Sequence, residues 1–146
     1  MTSTEVGQAA DGRLARLGAP IVVGAMAACA CAAVCIADPT TPGGVLPVCP
    51  TKALLGVDCP GCGTLRMIYS LLHGDLLAAV RFNALALVAF GLLAVAYGTW
   101  TYGRVTGRPI TGWQHRRWAP VVALAVISAW FVVRNLPFAP FTALYV

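Results

Sequence analysis

The apolar positions of the chain fall into three long runs that two polar connections separate. The runs cover residues 19–37, 84–102 and 119–136, and the first two contain no charged residue. About 19 uncharged residues at a helical rise of about 1.5 Å nearly match the roughly 30 Å hydrocarbon core of a bilayer. The third run reaches a comparable length only if its last polar side chains turn toward the interface. The pattern predicts an all-α integral membrane protein with three transmembrane helices.

The region between the first two runs, residues 38–83, has a different pattern. Its first part is rich in Pro and Gly, which predicts an ordered loop at the membrane face. Thr64 can cap a short amphipathic helix, and Gly74 and Asp75 suit the end of that helix and the start of another. We expect this pair of helices to lie in the interface, before Asn83 opens the second long run.

Composition agrees with a membrane environment. Apolar residues make up 59% of the chain and charged residues only 10%, whereas a soluble domain averages about a quarter charged residues. Most of the surface must therefore face lipid rather than water. The net charge of +5 comes without a basic stripe interleaved with aromatic residues, so we expect no nucleic-acid partner.

The start of the chain allows two interpretations. Residues 1–18 are small and polar, which predicts a disordered cytoplasmic tail ahead of a single membrane domain, 19–146. Arg13 and Arg16 followed by an apolar run are also typical of a signal peptide that is cleaved after residues 35–37. We favour a retained first span because the run exceeds the usual apolar segment of a signal peptide.

The basic residues give the expected orientation. Six lie on one side of the predicted membrane (Arg13, Arg16, Arg104, Arg108, Arg116 and Arg117) and four on the other (Lys52, Arg66, Arg81 and Arg134). Because positively charged loops stay in the cytoplasm, we expect a cytoplasmic N-terminus and an extracytoplasmic cysteine-rich loop.

The most distinctive residues of that loop are Cys49-Pro50 and Cys59-Pro60-Gly61-Cys62-Gly63. Cys59 and Cys62 can close a small disulfide ring, or Cys49 can pair with either of them. Disulfides persist on an extracytoplasmic face. We expect Gly61 and Gly63 at backbone positions where a Cβ atom would clash.

Besides free structural thiols, two further interpretations of the cysteines stay open. In one, Cys62 lies in the first turn of the following helix, where the helix dipole and Arg66 would stabilise a reactive thiolate. In the other, Cys49, Cys59, Cys62 and His73 form a Cys₃His zinc site with one Cys-x₂-Cys knuckle. We expect a structural disulfide ahead of zinc, and no other cofactor.

Charged side chains recur along the outer face of the predicted membrane domain. We expect them to pair across helices and to fix how the loop docks. The alternative is a polar cradle for an anionic headgroup or a partner. These side chains are Asp58, Arg66, Asp75, Arg81 and Arg134.

Several short motifs, in this order, resemble the bacterial membrane proteins of the domain-of-unknown-function family 2752. They are Cys49-Pro50, Gly56-Val57-Asp58-Cys59-Pro60-Gly61-Cys62-Gly63, Arg66, Leu72-His73-Gly74-Asp75, Asn83 and Arg134-Asn135-Leu136-Pro137. The family usually has Leu-Thr-Arg where this chain has Thr64-Leu65-Arg66, and Asn-Pro where it has Asn83-Ala84. The resemblance implies a multi-pass protein of the bacterial inner (cytoplasmic) membrane, and it implies no particular activity.

The leading functional hypothesis is a non-enzymatic accessory or scaffold protein whose ordered loop binds another membrane protein. The rival hypothesis is a membrane thiol–disulfide oxidoreductase that uses Cys59 and Cys62. The sequence lacks a Ser-His-Asp pattern, a phosphate-binding loop and a pair of acidic residues, any of which would indicate another enzyme. Asp, Glu, Lys, Arg and His, the ionisable residues that are typical of a transport pathway, are absent from the first two runs.

Overall fold

The computed structural model of the chain describes residues 3–41, 49–108, 112 and 116–138, with side chains from residue 16 onward. All regular structure within these residues is helical, as the sequence predicted. The helices are α1 (Ser3–Ala37), α2 (Pro50–Leu55), α3 (Thr64–Leu72), α4 (Leu76–Thr106) and α5 (Ala119–Arg134). Most of the predicted Pro- and Gly-rich loop (42–48) and much of the second connection (109–111 and 113–115) lie outside the described residues.

Two helices are long and apolar enough to cross a membrane. These are the 22 residues Arg16–Ala37 of α1 and the 31 residues of α4. Only 6% and 11% of their apolar windows are buried inside the chain, whereas the core helix of a soluble protein would be mostly buried. Their apolar surfaces therefore face outward, as contact with lipid requires. The 16 residues of α5 extend about 24 Å, which is less than the roughly 30 Å hydrocarbon core, and three spans remain a prediction.

The first helix begins earlier than the sequence predicted. Residues 3–18, which were expected to form a disordered tail, are helical. Nine of these 16 residues are Ala, Glu, Gln, Leu or Arg, all of which favour helix. The first proline, Pro20, lies inside α1 rather than at its start.

A hydrogen bond joins α1 to α4 beside Pro20. The Tyr97 hydroxyl donates to the Pro20 carbonyl oxygen over 2.8 Å. Gly24 allows this approach, because a Cβ atom at that position would lie 2.7 Å from the Tyr97 oxygen. The helices α1, α3 and α4 pack against one another, so this contact fixes one long helix against the other.

The turn between α3 and α4 forms as the sequence predicted, but the start of α3 does not. Gly74 adopts a left-handed conformation with φ 79°, and the Asp75 carboxylate accepts a hydrogen bond of 2.9 Å from the Ala78 N–H. At the start of α3, the N-cap is Gly63 with φ 78°, and Thr64 is the first helical residue. The glycine takes this place because the chain must turn sharply through left-handed backbone there.

Asn83 divides α4 into two parts. Its backbone is non-helical (φ −165°, ψ 90°), and its Oδ1 accepts a hydrogen bond of 3.0 Å from the Ala86 N–H. This is the geometry of an N-cap, so Asn83 does open the second long apolar segment. That segment continues past the predicted end at Tyr102 to Thr106, where Gly107 (φ 72°) ends the helix.

The contact between Gly24 and Tyr97 predicts a specific pattern of stability. We expect Gly24→Ala to have a free energy of unfolding about 1 kcal/mol below that of Gly98→Ala, because the new methyl group displaces the Tyr97 hydroxyl. Gly98 is the matched control, since a Cβ atom there meets nothing within 4 Å. The measurement is denaturant unfolding in detergent micelles.

Removing the displaced oxygen should relieve the clash. Gly24→Ala combined with Tyr97→Phe is therefore expected to be no less stable than Tyr97→Phe alone. Equal stabilities of Gly24→Ala and Gly98→Ala would contradict this account.

Candidate functional site

Three thiols meet in the segment between α1 and α3. Cys49 immediately precedes α2, whereas Cys59 and Cys62 lie in the turn that leads into α3. The Sγ atoms of Cys59 and Cys62 are 3.2 Å apart, those of Cys49 and Cys59 are 3.5 Å apart, and all three lie within 4.8 Å of one another. A disulfide needs about 2.05 Å, and all six cysteines of the chain are free thiols. The predicted disulfide is therefore not shown.

The backbone of the Cys-Pro-Gly-Cys turn directs two of these thiols to one side. The Cys62 N–H donates to the Cys59 carbonyl over 3.0 Å, and the Cys59 N–H donates to the Cys62 sulfur over 3.3 Å. Gly63 then needs its left-handed φ of 78°, as expected. At Gly61 the expectation was wrong, because an added Cβ atom would lie 3.8 Å from the Cys59 sulfur, which is an ordinary contact.

Three side chains from α4 and from the end of α5 hold this turn in place. They are Asn83, Arg134 and Asn135, and we call them the loop clamp. Arg134 is only 1% exposed, and its two terminal nitrogens donate to the carbonyl oxygens of Cys62 (2.7 Å) and Phe82 (3.2 Å). A planar guanidinium can bridge two carbonyl groups in this way because its donors point in fixed directions.

The two asparagines of the loop clamp complete these contacts. Asn83 Nδ2 donates to the carbonyl oxygens of Pro60 (2.9 Å) and Cys62 (3.1 Å). Asn135 Oδ1 accepts from the Asp58 N–H, and its Nδ2 donates to the Asp58 carbonyl, both over 2.9 Å. The backbone on each side of Cys59 is thereby tied to helices that are distant in sequence.

An ion pair also lies beside the thiols, and the sequence did not predict it. Lys52 Nζ is 3.1 Å from Asp58 Oδ1, and the Asp58 side chain is 1% exposed. The sequence did contain a signal for this ion pair, because Lys52 is the only lysine in the chain and lies between Cys49 and Cys59. It was missed because α2 was not predicted, and that short helix turns Lys52 back toward Asp58.

Two predicted site residues point elsewhere. Arg66 Nε donates to the Pro39 carbonyl over 2.9 Å, and its guanidinium lies 6.0 Å from the centre of the Phe82 ring. His73 is exposed, its Nδ1 lies 2.8 Å from the Tyr69 carbonyl oxygen, and its ring stacks on Tyr69. Because His73 is absent from the thiol cluster, the predicted Cys₃His zinc set is wrong in its fourth member.

The thiols differ in acidity, in the opposite sense to the interpretation that makes Cys62 the reactive thiolate. Burial raises the pKa of Cys62 to about 12, and its neighbouring thiols add to that shift. The pKa of Cys49 is lowered to about 7 by the Cys59 thiol and then by the backbone N–H groups of Lys52 and Thr51. The accessible, acidic thiol is therefore Cys49 and not Cys62.

These residues can be set against known proteins. The family model described as Protein of unknown function (DUF2752) matches residues 49–97, about a third of the chain. The chain resembles that family over the three thiols and the first part of α4, which confirms the predicted resemblance. Arg134 and Asn135 of the loop clamp lie outside the matched segment. No curated protein and no solved structure matches the chain.

The two glycines of the turn should differ in their tolerance of a side chain. We expect Gly63→Ala to lower the free energy of unfolding by about 1–2 kcal/mol, because a Cβ atom is strained in left-handed backbone. Gly61→Ala is the matched control and should stay within about 0.5 kcal/mol of the parent chain. Denaturant unfolding measures both, and equal losses at the two positions would contradict the assignment of the strained residue to Gly63.

Proposed function

We propose that this protein is a non-enzymatic accessory protein of the bacterial cytoplasmic membrane. Its three spans carry an ordered extracytoplasmic loop that binds another membrane protein, and its N-terminus is cytoplasmic. The observation that carries the proposal is the loop clamp, in which side chains of α4 and of the end of α5 bind the backbone on both sides of Cys59. The arginine distribution supports the orientation.

A fixed loop of this kind suits binding. Surfaces that are ordered before a partner arrives lose less conformational entropy on association. Next to the clamped turn, α2 presents Leu54 and Leu55, which are 82% and 72% exposed. Exposed leucines beside a rigid polar loop offer an apolar contact to a partner that sits in the same membrane.

A cross-linking experiment on intact cells tests this proposal. Leu54→Cys is treated with a membrane-impermeant reagent that joins a thiol to a nearby amine, and the parent chain reports the background from the native cysteines. We expect one adduct of defined mass, because the loop faces outward and holds α2 at a fixed position. Adding Asn135→Leu should abolish the adduct, since it removes both hydrogen bonds to Asp58.

The matched control is His73→Leu, which changes an exposed polar residue outside the loop clamp and should leave the adduct unchanged. Reaction that occurs only after permeabilisation would place the loop in the cytoplasm. An adduct that persists with Asn135→Leu would show that partner binding does not depend on the loop clamp. Either result contradicts the proposal.

A second candidate, a thiol–disulfide oxidoreductase, is favoured by one observation. The acidic thiol of Cys49 lies 3.5 Å from Cys59, so Cys49 could attack a partner's disulfide and Cys59 could resolve the mixed disulfide. The first step joins Cys49 to one partner sulfur and releases the other as a thiol. The second step forms the Cys49–Cys59 bond and releases the partner sulfur that was joined to Cys49 as a second thiol. The partner thereby gains two electrons. The pair predicted from sequence, Cys59 and Cys62, suits this less well because Cys62 is buried.

The two candidates differ in what Cys59→Ser does. Without the resolving thiol, an oxidoreductase would accumulate a reducible, higher-mass adduct through Cys49. A non-enzymatic protein should accumulate none, and that is the result we expect on non-reducing gels and by mass spectrometry. Cys62→Ser is the matched control. An adduct that appears with Cys59→Ser and not with Cys62→Ser would overturn the non-enzymatic assignment.

A further inference from the structure

The three thiols converge on one point from separate parts of the chain. Cys49 is held at the start of α2, and the other two lie in the turn before α3. A tetrahedral zinc ion with Zn–S bonds of about 2.3 Å separates its sulfur ligands by about 3.8 Å. Two of the observed Sγ separations, 3.2 Å and 3.5 Å, lie slightly below that value, and the third is no more than 4.8 Å. A disulfide would use two of these thiols and leave the third beside it, whereas a metal ion uses all three.

The charges around the cluster favour an anionic group at this point. Lys52 and Arg134 are cations, and Asp58 is the carboxylate among them. With three neutral thiols, these residues carry one net positive charge, and Arg134 and Asp58 are almost completely buried. A divalent ion bound by three thiolates adds one negative charge, which balances the net positive charge of Lys52, Arg134 and Asp58. Compensation of this kind lowers the cost of burying the guanidinium.

We propose that Cys49, Cys59 and Cys62 bind one Zn²⁺ ion through three thiolates, with the fourth coordination position open to water or to a donor atom of the partner. This proposal deepens the proposed function, on which it rests, because the ion would lock the loop that the clamp positions. Binding leaves all three sulfurs as thiolates, and each thiol that is still protonated releases its proton to solvent, with no change of oxidation state. His73 is not a ligand, since its ring lies on Tyr69. Soft thiolate ligands also suit Cu(I), which the test includes as a competing ion.

The experiment uses the full chain, purified in detergent with a thiol-free reductant and stripped of metal. Zn²⁺ and Cu(I) are titrated in separate samples, each in competition with a chromophoric chelator, and Co²⁺ is added to a third sample as a spectroscopic substitute for zinc. We expect one ion per chain and a Co²⁺ spectrum with intense thiolate-to-metal charge-transfer bands. Zn²⁺ should also protect all three thiols from alkylation, as read by mass spectrometry. This last measurement needs no substitution and so does not depend on the folding of any variant.

Variants assign the ligands. Cys49→Ser should weaken Zn²⁺ binding by more than about 100-fold, which exceeds the effect of changing a residue outside the ligand set. The matched controls are His73→Ala and the triple change of Cys29, Cys31 and Cys35 to Ser, all of which should bind as the parent does. Loss of binding in either control would overturn the assignment, as would unchanged binding in Cys49→Ser.

Other outcomes also decide the proposal. A Cys59–Cys62 disulfide in protein purified without reductant would overturn the metal site, because two of its three ligands would be joined to each other. Tight binding of Cu(I) with none of Zn²⁺ would overturn the identity of the ion. Neither result disturbs the proposed accessory function, because the cross-link at Leu54→Cys and its loss with Asn135→Leu are measured independently of metal.

Discussion

The buried guanidinium of Arg134 is the interaction on which the described structure depends most. A charged group that leaves water must be satisfied by hydrogen bonds and compensating charge. Here it donates to the carbonyl oxygens of Cys62 and Phe82. One of these belongs to the cysteine turn and the other to the residue before the break in α4. A single side chain at the end of α5 therefore connects the third apolar helix to both.

The rest of the site follows from that connection. Once Arg134 fixes the Cys62 carbonyl, the neighbouring Asn135 is placed to pair with both backbone groups of Asp58. Asp58 in turn meets Lys52, which anchors α2 and Cys49. The thiols are thus brought together by hydrogen bonds to the backbone around them, and no bond between sulfur atoms is needed.

Much of the fold could be predicted from the sequence, whereas the geometry of the site could not. The apolar runs, the Gly74–Asp75 turn and the place of Asn83 at the start of the second long run follow from local patterns, since periodicity and helix ends depend on nearby residues. Two of the alternative interpretations, His73 as a zinc ligand and Cys62 as the acidic thiol, were wrong, because both depend on burial and on contacts between residues distant in sequence. Arg134 shows most clearly what the sequence pattern could not predict. Its position at the end of an apolar run is typical of a side chain that reaches outward, and the structure instead buries it against the cysteine turn.

Asn83 performs two tasks with one short amide. Its oxygen caps the second part of α4, and its nitrogen binds the carbonyl groups of the cysteine turn. Among small side chains, only an amide both donates two hydrogens and accepts through a separate atom. Aspartate would keep the cap and lose the donors, serine would offer one hydroxyl for both tasks, and glutamine would move both atoms outward by a methylene group. The bend in α4 and the shape of the cysteine turn therefore both depend on Asn83, so a substitution at this one position alters both features together.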